Sequence, residues 1–309
     1  MPDDIQPFDR TAVRRHRDRA AAGWAAHDFL QVELADRLAD RLDDIRRPFE
    51  RVVDLSCRDG LLSRRLASRA GRGLFVQSDP SPAFTRRAAE GGRPALVADE
   101  DLLPFAAGSF DLVLSLLSLH WVNDLPGCLL QIRRCLRPDG LFLGAMLGGE
   151  TLAALREAFL AAELETTGGA APRVSPMADL RDAAGLLQRA GFALPVADLD
   201  TVEVSYPDPL ALLRELRGMG ETNALRERPR NALRRDTLME ALASYQQACA
   251  LPDGRVRASF QVLWLAGWGP DDSQQKPLRP GSAQARLADA LGGVERPADS
   301  PPSPGRSFE

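Results

Sequence analysis

The sequence predicts an α/β fold with a seven-stranded, mostly parallel sheet, and two observations lead to this class. Between residues 51 and 147, short runs of β-forming residues alternate with segments of helical periodicity, the pattern of parallel strands connected by helices. The chain has 309 residues, of which 44% are hydrophobic, enough to bury a proper core. Helices are therefore expected on both faces of the sheet.

A helical extension, residues 1–49, is expected before the sheet. Residues 10–47 are predicted as helix because five apolar side chains recur close to a 3.6-residue period, namely Phe29, Val32, Leu34, Leu38 and Leu42. The Arg-rich start could pass for a mitochondrial transit peptide, but it carries Asp3, Asp4, Asp9 and Asp18, unlike the acid-poor composition of such peptides. We expect a solvated helix there.

Five strands are expected in the core domain, residues 50–150. They are RVVDLS (51–56), GLFVQSD (73–79), ALVAD (95–99), FDLVLSLLS (110–118) and GLFLGAML (140–147). Helices are predicted between them at 61–70, 81–90 and 125–136. Since parallel strands need such crossover segments, the core is expected to be a parallel sheet.

After residue 150 the pattern becomes mostly helical, and region 151–269 is predicted to form a substrate or lid region with the last two strands. Its predicted helices are 150–166, 176–190, 208–218 and 235–249, and its strands are ADLDTVEVSY (197–206) and ASFQVLWLAGW (258–268). The tail, residues 270–309, is rich in Pro, Ser and Gly. That composition predicts partial disorder.

The composition of the chain argues against several classes of function. The net charge of −4 argues against a nucleic-acid-binding protein, because no face needs to be basic. No apolar run approaches the ~20 residues of a membrane span. Three histidines leave little room for a metal site, and four cysteines without a CxxC pair indicate reduced thiols of a cytoplasmic protein. Lys276 is the only lysine, and this preference for Arg indicates a GC-rich, bacterial genome.

The turn after the first predicted strand is the first candidate for ligand binding. Ligands of open parallel sheets bind beyond the carboxyl ends of the strands, where glycine allows close approach to the backbone. In DLSCRDG, Asp54 ends the strand and Gly60 precedes a helix, but Ser56 and Arg58 stand where glycines are expected, on either side of Cys57. An ordinary strand-to-helix turn is the alternative.

Acids also end the next two predicted strands. Asp79 can accept two hydrogen bonds from the vicinal hydroxyls of a ribose, a feature that suits NAD, FAD and S-adenosylmethionine equally. Asp99, which Glu100 follows, lies where an acid can meet the exocyclic amine of adenine. A solvated loop acid is the alternative for Asp99.

An ordered series of motifs extends over residues 50–147. After the three strand-end acids comes FDLV, which opens the fourth strand, and then LRPDG (136–140), a turn before the fifth. This series resembles the class I S-adenosylmethionine-dependent methyltransferases. The resemblance implies a Rossmann-like fold whose seventh strand runs antiparallel beside the fifth, and S-adenosylmethionine as the cofactor.

Longer strings resemble a narrower family. LSLHWVNDLPG (117–127), GAMLGGETLAALR (144–156), YPDPLALLRELRGMGETNAL (206–225) and RRDTL (234–238) look like the mitochondrial complex I assembly factor five family and its bacterial relatives. The resemblance implies binding of S-adenosylmethionine and modification of a protein substrate, a subunit of respiratory complex I. Arginine hydroxylation is the chemistry reported for that family.

The resemblance also assigns cofactor binding to individual positions. They are Asp54, Ser56, Cys57, Arg58, Gly60, Asp79, Asp99 and Glu100. Ser56 and Arg58 depart from the family, which has glycine at both positions, so weaker binding is expected. Arg58 either obstructs the methionine pocket, lies outward or pairs with the carboxylate of the cofactor; we expect obstruction.

Two residues are candidates for catalysis. His120 follows the fourth strand, where a base would face the transferred methyl group; a partly buried histidine packed beside Trp121 is the alternative. Glu221 lies at a glycine-rich helix break and is expected to face the substrate from a lid formed by residues 208–251. A solvated connection is the alternative, and acids in a lid would suit an Arg-bearing protein substrate.

Three functions remain open from the sequence. The first is an S-adenosylmethionine-dependent enzyme that acts on a protein, and the second is a noncatalytic assembly chaperone with a degenerate cofactor loop. The third, a nicotinamide-dependent oxidoreductase, is the weakest because the G-x-G-x-x-G spacing is lacking. Uptake of the cofactor by the purified protein would distinguish the first two.

Overall fold

The computed structural model describes residues 6–275 and 292, and all seven predicted strands are present in chain order. The strands are β1 Phe49–Leu55, β2 Ala70–Asp79, β3 Ala95–Val97, β4 Phe110–Leu116, β5 Leu136–Gly148, β6 Ala193–Tyr206 and β7 Val256–Trp268. The α-helices are α1 Arg10–Ala21, α2 Phe29–Asp43, α3 Leu61–Arg65, α4 Pro82–Ala89, α5 Leu125–Cys135, α6 Ala153–Thr167, α7 Leu180–Arg189, α8 Pro209–Gly218 and α9 Arg235–Cys249.

The strands form one seven-stranded sheet in the order β3-β2-β1-β4-β5-β7-β6. The first five strands are parallel to their neighbours. β7 lies antiparallel between β5 and β6. The predicted α/β class, the parallel core and the antiparallel seventh strand beside the fifth are thus confirmed.

Both faces of the sheet are covered, because successive side chains of a strand point to opposite faces. Val52 packs in a core with residues of α2, α6, α8 and α9, whereas Val53 packs in a second core with residues of α5 and α7. On β4, Leu112 likewise belongs to the first core and Val113 to the second. The carboxyl edge of the parallel strands is therefore the place where a ligand can reach the sheet.

The N-terminal helix is not solvated, contrary to our prediction. The predicted helix at 10–47 is two helices, α1 and α2, separated by a 3₁₀ turn at Trp24–Ala26. One face of α1 is buried, comprising Ala12, Val13, Arg17, Ala20 and Ala21. Burial of an arginine is possible here because acids from distant parts of the chain surround it.

The connection after α8 lies directly against α1, at the predicted glycine-rich break. Gly220 has a left-handed φ of +80°, and a Cβ at this position would lie 3.5 Å from the Arg17 Cα. Farther along, the Asp9 N–H donates to the Ala224 carbonyl at 2.8 Å. Glycine therefore allows the segment that carries Glu221 to approach α1 closely.

Residues 6–271 form one compact unit, in which β6 and β7 complete the sheet of the core domain. The predicted division at residue 150 stays a functional prediction. Most of the predicted tail, residues 270–309, lies outside the described residues. None of the helices in residues 6–275 has the length and hydropathy of a membrane span.

Candidate functional site

The three strand-end acids lie at the carboxyl edge of the sheet. Asp79 is fully buried at the end of β2, and its carboxylate accepts hydrogen bonds from the Ser81 N–H at 2.8 Å and the Arg58 N–H at 3.2 Å. Asp54 is its electrostatic neighbour on β1. The side chain of Asp99, after β3, is 41% exposed. These positions agree with the predicted arrangement, while the binding roles remain predictions.

The turn after β1 adopts the backbone that glycine favours, although two of its residues are not glycine. Ser56 has a φ of 61° and Arg58 a φ of 52°, and Gly60 follows with 81°. Left-handed geometry costs a non-glycine residue about 1–2 kcal/mol. The departures at Ser56 and Arg58 therefore leave the loop shape intact and add strain.

We expect Gly60→Ala to lower the free energy of unfolding by ~1 kcal/mol more than the matched change Gly92→Ala. Both glycines have a left-handed φ, +81° and +76°, so both variants carry the same kind of strain. A Cβ at Gly60 would also clash with the buried Gln77 Oε1, whereas nothing lies within 4 Å at Gly92. Urea unfolding of both variants measures the difference, and equal losses would contradict the close packing of α3 on β2 and α4.

Arg58 points into the protein and not toward solvent. Its side chain is 1% exposed, and Nη2 donates to Glu221 Oε1 at 2.9 Å. The guanidinium carbon lies 5.2 Å from the centre of the Trp24 ring and 5.4 Å from that of Phe84, distances typical of cation–π contacts. Burial, followed by the like charge of Arg17, lowers the pKa of Arg58 to about 10.

Arg17 of α1 fills the space beside the first turn. Its side chain is 1% exposed and lies 3.6 Å from Asp79 and 3.5 Å from Glu100. The two terminal nitrogens also donate to the hydroxyls of Ser56, at 2.9 Å, and Ser118, at 3.0 Å. The acid that is expected to bind ribose is therefore already in contact with an arginine of the same chain.

Glu100 is the most heavily bonded acid of this network. Its carboxylate accepts short hydrogen bonds from Arg10, Ser56 and Ser118. Burial alone would raise its pKa, but the charges of Arg10 and then Arg17 hold it at about 2. Arg10 also bonds Asp99 at 2.6 Å, so both acids expected near adenine pair with α1.

Glu221 is the partner of Arg58, His120 and Trp121. The His120 Nε2 lies 3.1 Å from Glu221 Oε2, and the Trp121 Nε1 donates to the same oxygen at 2.6 Å. The charge of His120, and then that of Arg58, outweigh burial and hold the pKa of Glu221 at about 2. The structure thus brings both predicted catalytic residues together with the first turn.

The two nitrogens of His120 have different partners. The Leu147 N–H points at Nδ1 at 3.4 Å, and Nε2 faces Glu221 Oε2 at 3.1 Å. The ring also lies 5.5 Å from that of Trp121. In this arrangement His120 has no lone pair directed at a substrate, which agrees with the packed-histidine alternative.

Asp54 and Cys57 are enclosed and do not bond to the network. Both carboxylate oxygens of Asp54 lack a hydrogen-bond partner among the described residues, and burial, followed by the charge of Asp79, raises its pKa well above the ordinary value. Burial likewise raises the pKa of the Cys57 thiol. A thiol with a raised pKa is a poor nucleophile, and cofactor binding at Cys57 remains a prediction.

A cavity of about 530 Å³ is lined by Glu221 and Trp121 and is bordered by α6, α8 and α1. Residues 208–251 contribute Glu221 and part of α8 to it, and their role as a lid remains a prediction. Within the described residues, no set of three or more His, Cys, Asp and Glu side chains is placed to share a metal ion.

The sequence did not predict the contributions of Arg10, Arg17 and Ser118. Arg10 and Arg17 are seven residues apart and therefore lie on one face of α1. This spacing was the available signal, but the Arg-rich surroundings favoured a solvated helix. The acids that pair with both arginines are more than 60 residues away in the sequence and could not be matched to them locally.

Comparisons with known proteins agree with this geometry. Residues 53–144 match a family model described as a methyltransferase domain. The chain is 43% identical over 286 residues to the "Arginine-hydroxylase NDUFAF5, mitochondrial" of Danio rerio, with 91% of this chain and 88% of the relative covered. It is 37% identical over 280 residues to the malonyl-(acyl-carrier protein) O-methyltransferase of Halorhodospira halophila, with 89% and 93% covered.

Two solved structures share the fold. The YcgJ protein of Bacillus subtilis superposes with a TM-score of 0.54 at 14% identity, covering 76% of this chain and 98% of that one. Phosphoethanolamine N-methyltransferase 2 of Haemonchus contortus, solved in complex with S-adenosyl-L-methionine, gives 0.51 at 16% identity, covering 84% and 60%. At such identities the likeness shows the fold alone.

The comparisons also correct one prediction and settle the family. The cytoplasmic, bacterial location predicted from cysteines and Arg usage is wrong, because the relative matched over 91% of the chain is named as mitochondrial; composition does not distinguish one reducing compartment from another. The predicted family is confirmed by the 43% and 37% identities over most of both chains. The chain belongs to the class I methyltransferase family, together with its NDUFAF5 and malonyl-(acyl-carrier protein) O-methyltransferase relatives.

Proposed function

We propose that this chain is an S-adenosylmethionine-dependent enzyme that modifies a protein substrate, a subunit of respiratory complex I, during assembly. The observation that carries the proposal is the set of acids at the ends of β1, β2 and β3, in a chain 43% identical to a relative named as an arginine-hydroxylase. The methyltransferase relatives support methyl transfer, and the name of the NDUFAF5 relative supports arginine hydroxylation. A mass spectrum of the modified subunit, gaining one methylene or one oxygen, would decide between them.

The positions of the acids suit S-adenosylmethionine. In this conformation, however, protein side chains occupy the space between the acids. Asp79 and Asp99 are where a ribose and an adenine would require acceptors. Arg17 and Arg58, both 1% exposed, fill the volume beside the first turn. Arg17 Nε, and Nε and Nη1 of Arg58, have no hydrogen-bond partner among the described residues. We expect a cationic, adenine-bearing ligand to compete with Arg17 for Asp79, and its binding to require that both guanidinium groups move aside.

When bound, the cofactor supplies an activated methyl group. The chain's own residues would then hold the acceptor: Glu221 fixes His120 and Trp121 by hydrogen bonds, and this rigid group would orient the acceptor. Proton removal by His120 requires that its Nδ1 loses the Leu147 N–H. We therefore assign His120 and Glu221 to positioning in the state described here.

We expect Arg17→Ala to tighten the binding of S-adenosylmethionine about tenfold, because an internal competitor for Asp79 is removed, equivalent to ~1.4 kcal/mol. Arg58→Gly should tighten it by a similar factor, since it removes both the side chain and the strain of a left-handed residue. The matched control is Arg14→Ala, an exposed residue of the same helix, which should leave affinity unchanged. Calorimetry measures all four proteins, with circular dichroism to confirm that each one folds.

One observation favours a second function, the noncatalytic assembly chaperone. The buried network of Arg17, Arg58, Glu100 and Glu221 closes the site with the protein's own side chains. If wild type and both variants are folded, and none binds S-adenosylmethionine, the enzyme proposal is excluded. Binding of the complex I subunit by the same preparations would then support the chaperone.

A further inference from the structure

The cavity beside Glu221 has an apolar interior and a basic opening. Its buried walls are formed by side chains of α6, α8 and β5, among them Leu147, Leu155, Phe159 and Leu216. Its exposed lining residues include Arg19 of α1 and Arg217 of α8. A volume of about 530 Å³ is within the range of small-molecule sites.

The charges that line this cavity are unbalanced. Among the described residues, its lining includes four arginines, namely Arg19, Arg173, Arg217 and Arg228, and one acid, Glu221. That acid already accepts from Arg58 and Trp121 and bonds His120. It therefore has little capacity left for a cationic ligand, and an arginine side chain entering here would meet like charge. The predicted fit to an Arg-bearing substrate is not supported by this cavity.

Among the described residues, two of the four arginines form an ion pair with a carboxylate, and the other two do not. Arg173 lies 2.6 Å from Glu163, and Arg228 lies 2.8 Å from Asp9. Within the described part of the chain, Arg19 donates to the Thr222 hydroxyl at 3.1 Å and Arg217 has no carboxylate partner. Arg19 and Arg217 line this cavity together and also line a smaller neighbouring cavity together, so the two cations lie close to each other. Burial and then the charge of Arg217 lower the pKa of Arg19.

We propose that this cavity binds an anionic ligand with a linear apolar segment, whose carboxylate lies between Arg19 and Arg217 and whose alkyl chain enters toward Leu155 and Phe159. A carboxylate between two guanidinium groups relieves their repulsion and forms charge-assisted hydrogen bonds. The chain removes apolar wall area from water. The ligand class is thus a fatty-acid-like carboxylate. The inference goes beyond the proposed function, because it needs neither the cofactor nor a protein substrate.

The test is calorimetric titration of the full-length protein with decanoate below its micellar concentration, and with decyltrimethylammonium as the cation of the same chain length. Decanoate should bind to one site, and the cation should not. Since S-adenosylmethionine is omitted, the outcome is independent of whether the chain binds that cofactor. Equal binding of both probes, or no binding of decanoate, would overturn the proposal.

Substitutions of the arginines that line the cavity test whether decanoate binds there. Arg217→Glu should weaken decanoate binding at least about tenfold, because it replaces an attraction by a repulsion. Arg14→Glu is the matched control, since Arg14 is exposed on α1, the helix of Arg19, and lines neither this cavity nor the smaller one that Arg19 and Arg217 share; it should bind like wild type. Arg19→Gln serves as a second variant should Arg217→Glu fail to fold, and it should also weaken binding. Unchanged affinity in a folded Arg217→Glu or Arg19→Gln variant would refute the assignment.

Discussion

Replacement of Glu100 by alanine is expected to lower the free energy of unfolding by about 3–5 kcal/mol, the cost of removing one partner from a buried ion pair. Glu100 is 2% exposed and holds Arg10 and Arg17 as well as the hydroxyls of Ser56 and Ser118. Without it, Arg17 retains only the more distant Asp79, at 3.6 Å, as an acid partner. A buried guanidinium would then lack most of its compensation.

The neighbouring change Asp99→Ala is the matched control. Asp99 also bonds Arg10, at 2.6 Å, but its side chain is 41% exposed. Exposed ion pairs contribute roughly 0–1 kcal/mol, so this variant should remain close to wild type. Chemical denaturation of the three proteins at neutral pH measures both losses. Similar losses in Glu100→Ala and Asp99→Ala would show that the buried network does not hold α1 in place.

The difference in the free energy of unfolding between wild type and Glu100→Ala should also depend on pH. The pKa of Glu100 is held at about 2, below its ordinary value of 4.5. A carboxyl with a depressed pKa stabilises the fold above its ordinary value, and this stabilisation is lost as pH falls through the folded value. The difference between wild type and Glu100→Ala should therefore be constant above pH ~4.5 and shrink toward pH ~2. A difference that grows on acidification would contradict the assigned charge state.

The sheet could be predicted because its signals are local. Each strand is a short apolar run, and the acids Asp54, Asp79 and Asp99 mark where three of them end. The antiparallel seventh strand beside the fifth followed from the resemblance. The turn after β1 was predicted in position, and its left-handed backbone at Ser56 and Arg58 shows that the loop shape is kept despite the two substitutions.

The interior of the site could not be predicted, because it depends on pairs that are distant in sequence. Arg17 meets Glu100 across more than 80 residues, and Arg58 meets Glu221 across more than 160. Only folding brings them together. The local sequence around an arginine in a polar helix does not show whether that arginine is solvated or buried. The prediction of a solvated α1, which was based on its charged composition, was therefore wrong. The direction of Arg58 was likewise one of three open possibilities, and the structure places it inward, on Glu221.

In contrast to Glu100, Asp54 is a buried acid whose charge is not balanced by a hydrogen-bond donor or a cation among the described residues. It is 1% exposed at the end of β1, and neither carboxylate oxygen has a hydrogen-bond partner among the described residues. Burial, and then the charge of Asp79, raise its pKa well above the ordinary value of 3.8. Such a group reduces stability at neutral pH, a cost that proteins tolerate chiefly at functional positions.

We therefore expect Asp54→Asn to raise the free energy of unfolding at pH 7 by on the order of 1–3 kcal/mol, because the amide, unlike the carboxyl, does not have to take up a proton or bury a charge on folding. A carboxyl with a raised folded pKa stabilises the fold only below its ordinary pKa, so the gain should vanish below pH ~3.8 and grow as pH rises. Asp111→Asn is the control: Asp111 is buried but accepts from the Arg51 N–H at 3.0 Å and from Arg137 at 3.1 Å, and its loss should destabilise. Denaturant unfolding at several pH values measures both variants. If Asp54→Asn destabilises the protein as Asp111→Asn does, Asp54 is ionised and bonded in the native state, and its contribution to the site would be that of a charged group.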